Sequence, residues 1–241
     1  MRKLLFLLMA LPFANLVQSQ NLISTSRYYP KAGMWQKFEA AIGAHAKKYH
    51  KNDFKWKVFS IETGPDAGGY MVVEGPNNWE KVDGRGDLGA EHTADWEKTV
   101  QIHLQDRTNS TYYEYHQEWS SMEQAHSAEN VSLQHFFINP GYRGEFIQHI
   151  LLPMKNLWQS DGTKVAVYDA TISGRPQIVV ATRYLNGLKE RDVTNPVNFQ
   201  ERFKKVNGGD ATWNKWIEIY KVAVRDQWQE LITWKPKLGS N

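Results

Sequence analysis

Segments in the two halves of this sequence match in order, and this internal similarity constrains the fold more than any other feature. Residues 94–103 correspond to residues 211–220, and each segment places a helix-capping residue directly before a Trp. The β-rich segment 23–29 corresponds to residues 131–137, about 108 positions later. The series favours a duplicated unit of domain size. The alternative is that two α+β halves look alike through shared composition.

Each half has the element order β-α-β-β-α-β, which is ferredoxin-like. Residues 56–73 and 165–181 are predicted strand–turn–strand units, because β-branched runs flank Gly and Pro. The strands are apolar on both alternating sets, so both faces of each sheet need a cover. We therefore predict an α+β protein: two fused ferredoxin-like repeats, residues 20–120 and 130–241, whose sheets pack together as an intramolecular pseudo-dimeric α+β barrel. Residues 121–129 are the predicted connector.

Residues 1–19 have the pattern of a secretory signal peptide. Arg2 and Lys3 precede an apolar run, and the small residue at its end predicts cleavage between Ser19 and Gln20. The alternative is an uncleaved anchor, although Pro12 interrupts the run before the roughly 20 residues that a span needs. We predict a periplasmic or secreted protein with no membrane span. The chain has no cysteine, which excludes lipoprotein anchoring, disulfides and thiol catalysis.

The charges of the chain are nearly balanced. The formal net charge is +3 at pH 7, and Arg2 and Lys3 in the predicted signal peptide contribute two of the positive charges. So small an excess of positive charge does not indicate the basic surface that binds nucleic acid, and we predict no nucleic-acid partner. We expect a small-molecule ligand and either a monomer, as an internal pseudo-dimer, or a weak homodimer.

The element order, the internal similarity and the Trp at the start of the last helix in each half resemble the dimeric α+β barrel superfamily. This superfamily includes antibiotic-biosynthesis-type monooxygenases and NIPSNAP-like domains, and the resemblance runs from about Leu22 to Trp234. Its members include cofactor-independent oxygenases, haem-degrading enzymes, isomerases, lyases and domains with no known activity. The fold alone therefore leaves open whether the chain is an enzyme. If it is one, the resemblance implies a monooxygenase-like oxidoreductase.

The haem-degrading branch of this superfamily supplies a pattern of site residues. It uses an Asn on the first strand, a Trp near the third strand and a His on the second helix. Trp79 and His103 match the last two in the first half. Phe199 and Tyr220 stand at those places in the second half, and the first strand has Ser24 where an Asn is wanted. The alternatives are that Trp79 fills space between a loop and the sheet, and that His103 is a solvated helix-end residue.

Arg27 and His135 occupy equivalent positions on the first strand of each half. That strand is central in a ferredoxin-like sheet, where a polar side chain is costly unless it is paired or faces a cavity. Such a cavity would bind an anion, a carboxylate or a haem propionate, and His135 would serve as a general base. Alternatively, Arg27 pairs with a surface carboxylate near the strand end. The candidate catalytic residues are thus His103 and Arg27, and the candidate ligand-binding residues are Trp79, His45, His135 and Tyr220.

The eight histidines do not form a recognised metal-binding motif. His45 and His50 are five positions apart, which places them about 140° apart around one helix. No His-Glu-x-x-His pattern occurs. His45 lies on the apolar stripe of the first helix, where it either faces a pocket or is a hydrogen-bonded core residue. We predict no metal and no cofactor, with haem the one cofactor that the resemblance allows.

The composition favours a ligand-binding function. Aromatic residues make up 13% of the chain and include 10 Trp, a residue type that lines pockets for apolar molecules. We predict that the protein binds a small apolar or aromatic molecule in a pocket between sheet and helices. The alternatives are a cofactor-independent monooxygenase or a haem-binding or haem-degrading enzyme, and a non-catalytic structural or interaction domain.

Overall fold

Eight antiparallel strands form the centre of the molecule, for which a computed structural model describes residues 21–193 and 195–240. The predicted signal peptide and its cleavage point therefore lie outside the described residues. The strands are β1 (Leu22–Pro30), β2 (Trp56–Ile61), β3 (Tyr70–Asn77), β4 (Leu104–Tyr115), β5 (Asn130–Ile138), β6 (Val165–Thr171), β7 (Gln177–Tyr184) and β8 (Val224–Trp234). They close into one barrel in the order β1-β3-β2-β8-β5-β7-β6-β4.

In the described part of the chain, seven α-helices cover the outside of the barrel: α1 (Trp35–Tyr49), α2 (Trp79–Gly84), α3 (Gly89–Asp95), α4 (Arg143–Phe146), α5 (Leu152–Asp161), α6 (Phe199–Asn207) and α7 (Asp210–Ala223). A π-helical turn, Trp96–Val100, continues from α3, and another, Ile147–Leu151, joins α4 to α5. Asn198 begins α6 by accepting a hydrogen bond from the backbone N–H of Glu201, as an N-cap residue should. Within the described residues, no helix combines the length and apolarity that crossing a membrane requires.

The predicted fold of two fused ferredoxin-like repeats with stacked sheets is wrong. Strands from the two halves join edge to edge: Phe59 of β2 pairs with Trp234 of β8, and Tyr112 of β4 pairs with Thr171 of β6. These two seams turn all eight strands into a single closed barrel. The physical reason is that an open sheet leaves unpaired N–H and C=O groups along its edges, which closure satisfies.

The alternation of side chains along each strand explains why the strands are apolar on both sets. In β1, Ile23, Thr25 and Arg27 line the barrel interior, whereas Leu22 and Tyr28 point outward. The outward-facing side chains pack under the helices in two clusters, and each cluster contains one fully buried Phe: Phe146 in the first and Phe38 in the second. Both faces of the strands are thus covered, as the sequence predicted. The inner face, however, is covered by the opposite strands of the same barrel and not by a second sheet.

The connector lies across one end of the barrel. Met122 and Ala128 belong to the interior apolar cluster. Arg183, at the end of β7, donates from Nη1 to the carbonyl oxygen of Gln124 at 3.1 Å, and Lys57 donates from Nζ to Ser127 Oγ at 3.0 Å. These bonds hold the connector against the strand ends, so it forms part of the wall of the interior space.

Candidate functional site

The barrel encloses a cavity of about 130 Å³. A dry cavity of about 150 Å³ holds one benzene molecule, so this space suits a molecule with a single ring. Its apolar wall consists of Ile23, Phe59, Met71, Val73, Val131, Leu133, Val179, Ala181, Ile232 and Trp234. The connector contributes Gln124, His126, Ser127 and Ala128 to the lining. The expected pocket between sheet and helices is therefore replaced by a cavity inside the barrel.

A polar network reaches the cavity wall through Arg27 and His135 and is called here the Glu230 network: Arg27, Asp66, His135 and Glu230. Arg27 donates to both carboxylate oxygens of Glu230, at 2.8 Å from Nη1 and 2.5 Å from Nη2. His135 Nε2 lies 3.1 Å from Glu230 Oε1, and its Nδ1 lies 3.0 Å from the Gln177 side-chain oxygen. Arg27 also donates to Asp66 at 3.0 Å. The two residues predicted as a pair therefore meet through one carboxylate.

The electrostatics of the network follow from burial and pairing. Burial raises the pKa of the Glu230 carboxyl, but hydrogen bonds from Arg27 and His135 outweigh it, so the pKa lies below its ordinary value. Burial lowers the pKa of the Arg27 guanidinium, yet the Glu230 carboxylate raises it further, so Arg27 keeps its charge. Burial raises the pKa of Tyr113 to about 12, which leaves a neutral phenol in the cavity wall.

The lowered pKa of Glu230 predicts a pH dependence of stability. A carboxyl whose folded pKa lies below its ordinary value of 4.5 stabilises the fold above that value, and the stabilisation is lost as pH falls through the folded pKa. The difference in unfolding free energy between the wild type and Glu230→Gln should therefore be largest near pH 7 and shrink below pH 4.5. Urea unfolding at a series of pH values measures it. A difference that stays constant down to pH 3 would contradict the assignment.

His45 lies apart from the cavity, on the outer side of the barrel. Its Nδ1 is 2.8 Å from Asp95 Oδ2, and its Nε2 is 3.2 Å from His92 Nε2. Of the two interpretations given by the sequence, the structure shows the hydrogen-bonded residue. Its partners are both on α3, which the sequence did not connect with it.

The remaining predicted site residues are dispersed. Trp79 donates from Nε1 to Glu114 at 3.2 Å. His103 is half-buried at the end of a short 3₁₀ turn, and Tyr220 of α7 donates to Gln227 at 2.6 Å. None of the three lines the barrel cavity. The structure thus brings together only Arg27 and His135 of the six candidates.

Sequence reasoning missed three residues: Tyr113, which lines the cavity, and Asp66 and Glu230, which pair with Arg27. The signal for Glu230 was its place in β8, where an acidic residue stands on the same alternating set as Trp228 and Ile232. In the barrel, Trp228 pairs with His135 and stacks on its ring at 3.8 Å. An acid in an otherwise apolar set requires a buried cation, which Arg27 supplies.

Haem does not fit the described residues. The cavity holds about 130 Å³, which is far smaller than a porphyrin. Arg27, the candidate partner for a propionate, already binds Asp66 and Glu230, and His103 lies outside the cavity. Between barrel and helices, Phe38 and Phe146 are fully buried in packed clusters. We therefore assign no haem-dependent step to this chain.

Solved structures share this fold at low sequence identity. An anthrone oxidase-like protein gives a TM-score of 0.56 at 12% identity, covering 90% of this chain and 92% of its own. A candidate monooxygenase from Lactobacillus acidophilus NCFM gives 0.53 at 9% identity, covering 92% and 96%. Chlorite dismutase from Candidatus Nitrospira defluvii, in complex with imidazole, gives 0.55 at 9% identity, covering 92% and 94%.

These neighbours confirm the fold-level resemblance to monooxygenase-like and chlorite dismutase-like α+β barrel proteins. No protein-family model matches the sequence, and no curated protein matches it either. Sequence identities of 9–12% support a shared fold and do not extend to a shared activity. The internal duplication stays a prediction.

Proposed function

We propose that the protein binds a compact apolar or aromatic molecule in the cavity inside the barrel. The observation that carries the proposal is the cavity itself, which has the volume of a single-ring molecule and a mostly apolar wall. Ligand pockets of this kind combine such walls with a few fixed polar groups. Here the polar groups in the lining include Thr25, Tyr113, Arg27 and His135, and Glu230 holds the last two by hydrogen bonds.

The charge balance of the network favours a neutral ligand. The Arg27 guanidinium faces the carboxylates of Asp66 and Glu230, so its positive charge is already compensated within the protein. An anion placed beside Glu230 would be repelled by that carboxylate at low dielectric. The expectation that Arg27 binds a carboxylate is therefore not part of this proposal. The Tyr113 hydroxyl, held neutral, is the donor that a phenol or ketone oxygen would meet.

Binding of small aromatic probes tests the proposal. Toluene and p-cresol should bind in isothermal titration calorimetry and change the Trp fluorescence, because Trp234 lines the cavity. Hemin should not bind there. Ala181→Leu places extra methyl groups in the cavity and should weaken probe affinity by about 10-fold or more.

The matched control is Ala41→Leu, which makes the same change at a half-buried position on α1, where the side chain packs against the outer cluster under the helices and not against the cavity wall. It should leave probe affinity unchanged. If Ala181→Leu and Ala41→Leu bind the probes equally, or if hemin binds as well as toluene, the cavity is not the binding site.

Oxidation of the bound molecule is the second candidate function. It is supported by the names of the neighbours, an anthrone oxidase-like protein and a candidate monooxygenase. In that case Arg27, Tyr113 and His135 are the polar side chains that face the molecule. Oxygen consumption by the probe-loaded protein, measured in the same samples, separates oxidation from binding alone. We also propose that the protein is exported to the periplasm or the medium, because residues 1–19 have the pattern of a signal peptide.

A further inference from the structure

Three histidine side chains meet between α1 and α3 on the outside of the barrel and are called here the histidine cluster: His45, His50 and His92. One ring nitrogen of each lies within 4.8 Å of the others. His45 and His50 are each 1% exposed, whereas His92 is half-buried. The cluster is therefore closed on its inner side and reachable from the side of α3.

The end of α1 explains why the sequence argument against a metal does not hold. On one continuous helix, His45 and His50 would lie about 140° apart. The helix ends at Tyr49, and the backbone of His50 is extended, with φ −102 and ψ 92. The His50 ring consequently lies 5.4 Å from the His45 ring, centroid to centroid.

The distance between His45 and His92 matches shared coordination of one ion. Their Nε2 atoms are 3.2 Å apart. Two nitrogens bound to one tetrahedral zinc, each at about 2.0–2.1 Å, lie about 3.3 Å from one another. Asp95 lies 2.8 Å from the other ring nitrogen of His45. A carboxylate in this position holds the Nδ1 proton and leaves the Nε2 lone pair for a metal.

His50 supplies an independent observation. Both of its ring nitrogens are buried and have no hydrogen-bond partner among the residues that the structure describes. The nearest carboxylate oxygen, Oε2 of Glu74, is 3.6 Å from Nδ1, which is too long for a hydrogen bond. The ring is held by stacking on Trp56 at 3.5 Å. A buried imidazole with no partner is costly, and a coordinated ion would satisfy it.

Aromatic side chains surround the histidine cluster. Trp56 and Trp96 pack around His45, with ring centroids at 5.7 and 5.3 Å. An apolar shell of this kind limits the access of water and strengthens coordination.

We propose that His45, His50 and His92 bind one divalent transition-metal ion, best matched by Zn²⁺, with Asp95 orienting His45. Imidazole ligands suit zinc and its neighbours rather than Mg²⁺ or Ca²⁺. Three histidines leave a fourth tetrahedral position for water or a substrate atom, on the side of half-buried His92. The site is separate from the barrel cavity and does not depend on the function proposed for it.

Titration of the chelator-treated full chain tests the proposal. Zn²⁺ should bind with one ion per chain in calorimetry, and Co²⁺ should give the visible absorption bands of tetrahedral coordination. His92→Phe keeps the ring contacts of His92 with His45 and Tyr49 but removes its nitrogens. It should weaken binding by more than about 100-fold, because outer-shell partners alone contribute about 10–100-fold. Asp95→Asn should fall in that 10–100-fold range.

The control is His149→Phe, which replaces a half-buried histidine that lies 3.5 Å from Glu145, away from the cluster. It should bind Zn²⁺ like the wild type. Zn²⁺ should also raise the thermal midpoint of the wild type and not that of His92→Phe, since binding to the folded state stabilises it. The absence of one-to-one binding, or equal binding and equal stabilisation in His92→Phe, would overturn the proposal.

Discussion

Glu230→Gln should lower the free energy of unfolding by about 3 kcal/mol at pH 7, measured by equilibrium unfolding in urea. Removing one partner of a buried ion pair costs about 3–5 kcal/mol, because the other charge is left without compensation. Glu230 is 2% exposed and holds both Arg27 and His135. The lower end of the range is expected because Asp66 still pairs with Arg27.

Two further variants separate charge loss from simple disruption. Asp66→Asn should cost about 1 kcal/mol, since that side chain is 16% exposed and Glu230 remains beside Arg27. The double variant Arg27→Met/Glu230→Leu should lose less stability than Glu230→Gln alone, because a buried ion pair is often replaceable by apolar residues. A loss under about 1 kcal/mol in Glu230→Gln would show that the network does not depend on this charge.

Gly64→Ala should destabilise the barrel by about 2–5 kcal/mol. Gly64 has φ +89, which costs an L-residue about 1–2 kcal/mol. An added Cβ would also lie 2.8 Å from the carbonyl oxygen of Gln229 and 3.0 Å from Cβ of Glu230. Relieving such a clash costs about 1–3 kcal/mol more, and it would displace Glu230 from Arg27. Thermal and urea unfolding measure the loss.

Gly68, in the same turn between β2 and β3, is the matched control. It has φ +84, but an added Cβ would meet nothing within 4 Å. Gly68→Ala should therefore show only the backbone cost of about 1–2 kcal/mol. Equal losses in the two variants would mean that the close approach of Gly64 to β8 does not matter.

The strands and their two apolar faces were predictable from the sequence, but the closure of the strands into one barrel was not. β-branched runs around Gly and Pro indicate strands, and their two apolar sets indicate two covered faces. Closure depends on which strand edges meet, and the seam between β2 and β8 is short, running from Phe59 to Ile61. No local pattern encodes a pairing between segments so far apart in the chain.

The candidate site shows the same limit. Arg27 and His135 were singled out because they are polar and hold equivalent positions on the first strand of each half. Glu230 joins them because β8 pairs with β5 in a register that places Trp228 opposite His135. His50 was misjudged because the sequence does not show that α1 ends one residue earlier. Register and helix ends are set by tertiary contacts, which pattern reasoning does not contain.

Closure of the barrel also bears on how this chain meets other proteins. Every strand that the structure describes has a hydrogen-bonded neighbour on both sides. A peptide that binds by adding a strand to a sheet needs a free edge, and so does a growing fibril. For a chain predicted to work outside the cytoplasm without disulfides, closure therefore leaves less strand edge open to such pairing than two open sheets would. What remains lies beyond the two short seams, which pair β4 with β6 over four residues and β8 with β2 over three.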